Sequence, residues 1–381
     1  MKFTAATTLF LSSRFVTAAF LFSFLPIAHG QNLETHSNDS SYQWNLPPGF
    51  PLPFVPANNP MSAIKVELGR HLFYEPLLSF NELYTCASCH QQDKAFTDGK
   101  AQAIGVTGIL HSRSAMSLTN VAYNPVFSWA SEKVSSLEQQ ALIPLFNTMP
   151  AEMGLTQPIS KLLIRLESKN TYLAMFQQAF PEDGEWITLN QITKAISAFE
   201  RTLISGNSAY DRYLFFDEND ALDESAKLGM KLFFSEKTAC GQCHFGINFS
   251  SASRYADLPE FPTEFHNTNL YQYYPEDDTG IHLESGEEED RGKFRAPTLR
   301  NIALTAPYMH DGSINTLSEV IDHYAKGGKT NRTENNPRRS PLIRGFEISE
   351  REKKALIDFL LALTDYEFIK NEKFSNPNTA Q

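Results

Sequence analysis

Cys86-Ala87-Ser88-Cys89-His90 and Cys240-Gly241-Gln242-Cys243-His244 are two copies of one pattern, C-x-x-C-H, and between them they use all four cysteines of the 381-residue chain. A single C-x-x-C also suits zinc or a redox dithiol. Two copies, each followed directly by His and with no thiol to spare, read instead as covalent haem c attachment. The thiols add to the haem vinyl groups and the adjacent imidazole becomes the proximal iron ligand. The spacing therefore predicts two haems, held by Cys86, Cys89 and His90 and by Cys240, Cys243 and His244.

Outward from these motifs the chain repeats itself. Leu68-Gly69-Arg70-His71-Leu72-Phe73 precedes the first motif, and Leu228-Gly229-Met230-Lys231-Leu232-Phe233 precedes the second. The step from Gly to the first Cys is 17 residues in one copy and 11 in the other. Ile64, Leu68, His71 and Leu72 share a helical face leading to the first motif. Thr188 and Gln191 form a capping box before Ile192, Ala195, Ile196, Phe199 and Leu203, with Gly206 as the stop. Ser349 and Glu352 cap a last helix carrying Leu356, Phe359, Leu360 and Leu363. Thr316 and Glu319 cap another, whose face carries Leu317, Val320 and Tyr324 before Gly327-Gly328. No period-2 pattern is sustained. The expected fold is mainly α, with two tandem cytochrome c-like haem domains and long connecting loops.

The expected organisation is a signal peptide at 1–30, a flexible lead-in at 31–44, haem domains at 45–218 and 219–368, and a tail at 369–381. Lys2 and Arg14 precede an apolar run from Phe15 to Ile27 that ends in Ala28-His29-Gly30, a secretory pattern. The run is too short, and too interrupted by Pro26, for a membrane anchor. Export to the periplasm also suits haem attachment to thiols. The prolines of Trp44 to Pro53 exclude helix and ladder, which predicts an extended arm. Removing residues 1–30 leaves 31 cations against 44 carboxylates, a net charge of −13. Such a surface disfavours nucleic acid and would steer a basic partner. No later segment is long and apolar enough for stable membrane insertion.

With Phe294-Arg295-Ala296-Pro297-Thr298-Leu299-Arg300-Asn301 and Ala306-Pro307-Tyr308-Met309-His310-Asp311-Gly312 added to the two haem motifs, the sequence resembles the di-haem cytochrome c peroxidase and MauG superfamily from about Pro47 to Asp365. Trp44 to Pro53, Asn59-Pro60-Met61-Ser62 and Lys65 to Tyr74 look most like its MbnH branch, whose members accompany a copper-binding partner protein, MbnP.

The resemblance implies roles residue by residue. Tyr324, 14 residues after His310, stands where the peroxidases have a Met ligand and MauG-like enzymes a Tyr; it would be the distal ligand of the second haem, ahead of the nearby Met309. A phenolate oxygen favours higher iron oxidation states than a thioether does. The first haem would keep an open side where hydrogen peroxide binds, with Glu152 as acid–base group, Gln140 bonding the bound oxygen and Pro144 walling the pocket. Trp129 matches the tryptophan between the haems. The family's structural calcium would use the carbonyls of Thr305 and Pro307, but Ser114 replaces the family's Asn ligand, which weakens that site. His71, His111 and His310 sit near the haem motifs and read as structural rather than iron-capping. Glu287-Glu288-Glu289-Asp290 reads as a solvated loop.

These features together predict a periplasmic di-haem enzyme of peroxidase type. It would react with hydrogen peroxide to form a high-valent di-haem state, then oxidise a residue, a Trp, of an MbnP-like partner by long-range electron transfer. One alternative is a cytochrome c peroxidase drawing electrons from a small redox donor protein. Another is a non-catalytic electron-transfer cytochrome, against which Glu152 and Gln140 argue.

Overall fold

The computed structural model describes residues 42–378, apart from 157, 258, 260–261 and 330–335. The expected signal segment and most of the lead-in lie outside the described residues. Among the latter, eleven α-helices and one two-stranded ribbon carry the fold, which is mainly α as expected. The helices are α1 (Ala63–Phe73), α2 (Cys86–Cys89), α3 (Leu137–Phe146), α4 (Ile159–Glu167), α5 (Asn170–Ala179), α6 (Leu189–Glu200), α7 (Ala209–Phe215), α8 (Glu224–Phe233), α9 (His282–Ser285), α10 (Leu317–Lys326) and α11 (Glu350–Leu361). Strands β1 (Phe265–His266) and β2 (Phe294–Arg295) pair antiparallel, with Phe265 opposite Arg295. No described helix is long and apolar enough to cross a membrane.

Two helix pairs form the frame, α1 with α6 and α8 with α11, and they match residue for residue at an offset of 160. A Cβ on Gly69 would lie 1.9 Å from the Ala195 carbonyl oxygen, and one on Gly229 would lie 1.9 Å from that of Ala355. Only glycine permits this approach, so the repeated Gly fixes how closely each pair packs. One turn on, Phe73 meets Phe199 with ring centroids 5.3 Å apart, and Phe233 meets Phe359 at 5.2 Å. Each pair continues to an aromatic just past the haem motif: Phe73 to Phe96 at 6.1 Å, and Phe233 to Phe249 at 6.2 Å. Burying each ring stabilises by about 2–3 kcal/mol.

The repeat extends into loops where sequence comparison did not find it. Asn120 and Asn301 both adopt left-handed backbone, φ +55° and +59°. Their N–H groups donate to Leu203 and Leu363, and their side-chain oxygens accept from the N–H of Ser205 and Asp365, both at 2.7 Å. Leu203 and Leu363 are again 160 apart. Asn301 Nδ2 also donates to Ser205 Oγ at 3.0 Å, which ties the two copies together.

The capping boxes at Thr188, Thr316 and Ser349 form as predicted. On α1 the buried face differs from the expected one. Ile64 is 46% exposed, whereas Lys65 is buried beside Leu68, Gly69 and Leu72. The Lys65 ammonium is satisfied there by Asn59 Oδ1 (3.1 Å) and the Pro60 carbonyl (2.6 Å), which keeps its burial tolerable. The Trp44–Pro53 arm is irregular rather than extended throughout: it turns at Pro48-Gly49, where Phe50 N–H donates to Pro47 O at 3.1 Å. Pro53 forms a bridge with Tyr255, and the Tyr123 hydroxyl donates to Pro51 O at 2.8 Å. Of the expected tail, residues 369–378 lie against the amino-terminal half: Phe374 joins the core of Phe73, Phe96 and Phe199, and Tyr74 donates to its carbonyl.

Candidate haem site

Both C-x-x-C-H segments close a tight turn in which the His N–H donates to the first Cys carbonyl at 3.0 Å. All four thiols are free. His90 Nδ1 lies 2.9 Å from Phe96 O, and His244 Nδ1 lies 2.9 Å from Phe249 O. A carbonyl only accepts, so Nδ1 carries the proton in each ring and Nε2 presents its lone pair. Burial lowers both pKa values and keeps the imidazoles neutral, as iron ligation requires. No cluster of three or more His, Cys, Asp or Glu suited to a bare metal ion occurs among the described residues.

Cys240, Cys243 and His244 open onto a cavity of about 250 Å³, whose walls include Phe294, Met309 and Tyr324. Tyr324 reaches it from α10, and burial pushes its phenol pKa up. Tyr324 is half-buried, and its hydroxyl makes no hydrogen bond to a described residue. Two thiols, a neutral imidazole and a phenol lining one cavity fit a haem c, which Cys240, Cys243, His244 and Tyr324 would hold. Met309 borders the same cavity.

Around the first motif the opposing group is acidic. Phe80 donates its N–H to Met153 O, Val106 to Glu152 O, Met153 to Pro144 O and Leu155 to Leu145 O, so four backbone bonds of 2.8–2.9 Å clamp the Glu152 loop. A Cβ on Gly105 would lie 2.0 Å from Ala151 O, so the segment around residue 105 must cross this loop at a glycine. Glu152 is near enough to Cys86 and Cys89 for its charge to act on both thiols. Burial raises its carboxyl to about 7. Gln140 and Pro144, four residues apart, share a face of α3, and the Pro144 carbonyl anchors the Glu152 loop.

Trp129 joins the two regions. Its Nε1 donates to Ser114 O at 3.1 Å, its carbonyl accepts from Arg295 N–H at 2.9 Å, and its ring borders the cavity. Ser114 donates its N–H to His310 O at 2.8 Å, and it borders the cavity together with Thr305 and Pro307.

The three other histidines settle differently. His71 is 3.4 Å from Glu67 of its own helix. His310 stacks on Phe294 at 3.8 Å and lies 3.6 Å from Asp278, which also binds Arg113. His111 Nδ1 is 3.9 Å from Glu152 Oε1, and its buried Nε2 has no partner. In the acidic loop, Glu288 pairs with Arg291 and Arg338. The contact of His111 with Glu152 and the exposure of Arg295 to the cavity were not foreseen from sequence. The first joins loops far apart in the chain, and the second lay hidden in a motif quoted only for its resemblance.

Comparison with known proteins agrees with this geometry. Residues 63–219 match the family model described as di-haem cytochrome c peroxidase. The methylamine utilization protein MauG of Methylorubrum extorquens is 33% identical over 320 residues, 81% of this chain and 80% of that one. Cytochrome-c peroxidase IdrP1 of a Pseudomonas species is 34% identical over 340 residues, 84% and 86% of the two chains. A crystal structure of a MauG-like protein associated with microbial copper homeostasis superposes with a TM-score of 0.84 at 40% identity, covering 88% of this chain and 99% of that one. The chain therefore belongs to the di-haem cytochrome c peroxidase and MauG family, as a haem-dependent oxidoreductase of peroxidase type with two haem c groups.

Proposed function

We propose that this protein works in the periplasm, takes oxidising equivalents from hydrogen peroxide, and withdraws electrons from a tryptophan of an MbnP-like partner protein by long-range transfer. The observation that carries the reading is Tyr324, whose hydroxyl has no hydrogen-bond partner among the described residues and which lines one cavity with Cys240, Cys243 and His244. Likeness to a MauG-like protein associated with copper homeostasis supports the choice of partner. The secretory pattern of residues 1–30 supports the compartment.

When bound, the two haems supply the redox chemistry of peroxide reduction; His90 and His244 would hold them from one side and Tyr324 would close the second. The Glu152 carboxylate takes the proton from the near oxygen of peroxide and returns it to the far one, which leaves as water. Gln140 would donate a hydrogen bond to the peroxide, and Pro144 would narrow access to it. Trp129, tied to Ser114 and Arg295, offers an oxidisable indole between the sites. A calcium ion there would rest on the carbonyls of Thr305 and Pro307, with Ser114 contributing at most a hydroxyl.

The test is to add peroxide to the holoprotein with the secreted partner and read the partner's tryptophan by mass spectrometry. Oxidation lost in Tyr324→Met supports the proposal. A second reading, reduction of peroxide with electrons from a small redox protein, is favoured by the 34% identity to a cytochrome-c peroxidase. Rapid peroxide turnover with a reduced small cytochrome, unchanged in Tyr324→Met, would select it.

A further inference from the structure

Arg295 is 2% exposed and borders the cavity lined by Cys240, Cys243 and His244. Nε donates to Ser128 O at 3.2 Å, Nη2 faces Met116 Sδ at 3.9 Å, and the buried Nη1 has no partner. The other deeply buried arginines each have a carboxylate partner, although Arg201 also leaves a buried Nη1 unpartnered. Arg300, 1% exposed, is held by both oxygens of Asp211 at 2.8 and 2.9 Å, and Arg201, 3% exposed, by both oxygens of Glu138 at 2.8 and 2.9 Å. Arg295 has no carboxylate within ion-pair distance among the described residues.

An unpaired buried charge costs several kcal/mol, and a guanidinium does not escape the cost by losing its proton near neutral pH. Burial lowers Arg295 only to about 10. No described residue supplies the anion that this site needs. Haem c brings two carboxylate side chains into the same cavity, and a guanidinium fork matches a carboxylate in two parallel bonds. Counting back from the paired Asn120 and Asn301, the position of Arg295 is taken by Ser114 in the amino-terminal copy, so the cation belongs to one haem.

We propose that Arg295 binds a carboxylate side chain of the carboxy-terminal haem as its counter-charge, with the Arg295 N–H holding Trp129 alongside. The proposal needs only the two covalent haems of the family and is independent of the substrate. It also places one fixed positive charge beside one iron, which raises that iron's reduction potential.

The test compares the di-haem holoprotein with Arg295→Met and Arg295→Lys in EPR-monitored reductive titrations that follow each haem separately. Arg295→Met is expected to lower the midpoint potential of the carboxy-terminal haem, because losing the cation favours ferric iron. The drop is expected to be larger at pH 8 than at pH 6, where the freed carboxylate takes up a proton. The amino-terminal haem moves less, and Arg295→Lys restores most of the potential. Unchanged potentials in Arg295→Met, or a shift on the amino-terminal haem instead, would overturn the proposal. Should Arg295→Met fail to accumulate with both haems, the carboxylate bending band in resonance Raman spectra decides with Arg295→Lys. A shifted band for one haem is expected; an unmoved band refutes the assignment.

Discussion

α3 and α10 hold corresponding places in the two halves. Each follows a left-handed Asn, each begins at a hydroxyl cap (Ser136 and Thr316), and each packs on the second helix of its own frame pair, α6 or α11. Eight residues past the cap stands Pro144 in one and Tyr324 in the other. Proline offers no atom to a metal, and tyrosine offers an oxygen. The frame behind each C-x-x-C-H motif is thus nearly identical in both halves, and under the proposed function one helix position would separate an open site from a closed one. The open half would supply an acid–base group on the loop after its helix, Glu152. In the closed half α10 ends at Gly327, φ +80°, directly after the turn that carries Tyr324.

The largest expected effect breaks this asymmetry on its open side. Glu152→Gln should slow the reaction with peroxide by about 10²–10⁴-fold in stopped-flow measurements, since the amide cannot carry the proton. The spectrum of the carboxy-terminal haem should be untouched. Because burial raises Glu152 to about 7, and the active form is the carboxylate, the wild-type rate should climb with pH and level off above about 7. In Glu152→Gln that inflection should vanish.

A smaller effect tests the shared frame. Gly69→Ala and Gly229→Ala each gain helix propensity but force a methyl to 1.9 Å from a carbonyl. The clash wins, so each should lose about 1–3 kcal/mol by thermal or denaturant melting. Similar losses from the two variants would confirm that the frames are equivalent, and a loss from only one would refute it. The smallest expected effect is at the caps: Thr188→Ala and Ser349→Ala should cost about 1 kcal/mol each, read from the same melts.

The parts that were legible in sequence depend on short-range chemistry. The four cysteines, two histidines and three capping boxes act within a few residues, so their spacing is their mechanism. What stayed hidden depends on packing between distant segments. Asn120 and Asn301 are 181 apart whereas the helices repeat at 160, and the insertions between them conceal the relation. Lys65 is buried against periodicity because Asn59 and Pro60 meet its ammonium, which no hydropathy pattern registers. Arg295 looked like one cation in a motif until the structure placed it in a cavity wall without a carboxylate. The segment after residue 369 gave no sign that Phe374 would complete the amino-terminal core.

The most direct test of the asymmetry is resonance Raman spectroscopy of the di-ferric holoprotein, excited in the phenolate-to-iron region, beside Tyr324→Phe. The account predicts iron-bound tyrosinate ring modes in the wild type that disappear in the variant, while the amino-terminal haem stays unchanged. Wild-type spectra without those modes, or identical spectra from Tyr324→Phe, would contradict it and leave Met309 as the ligand to consider.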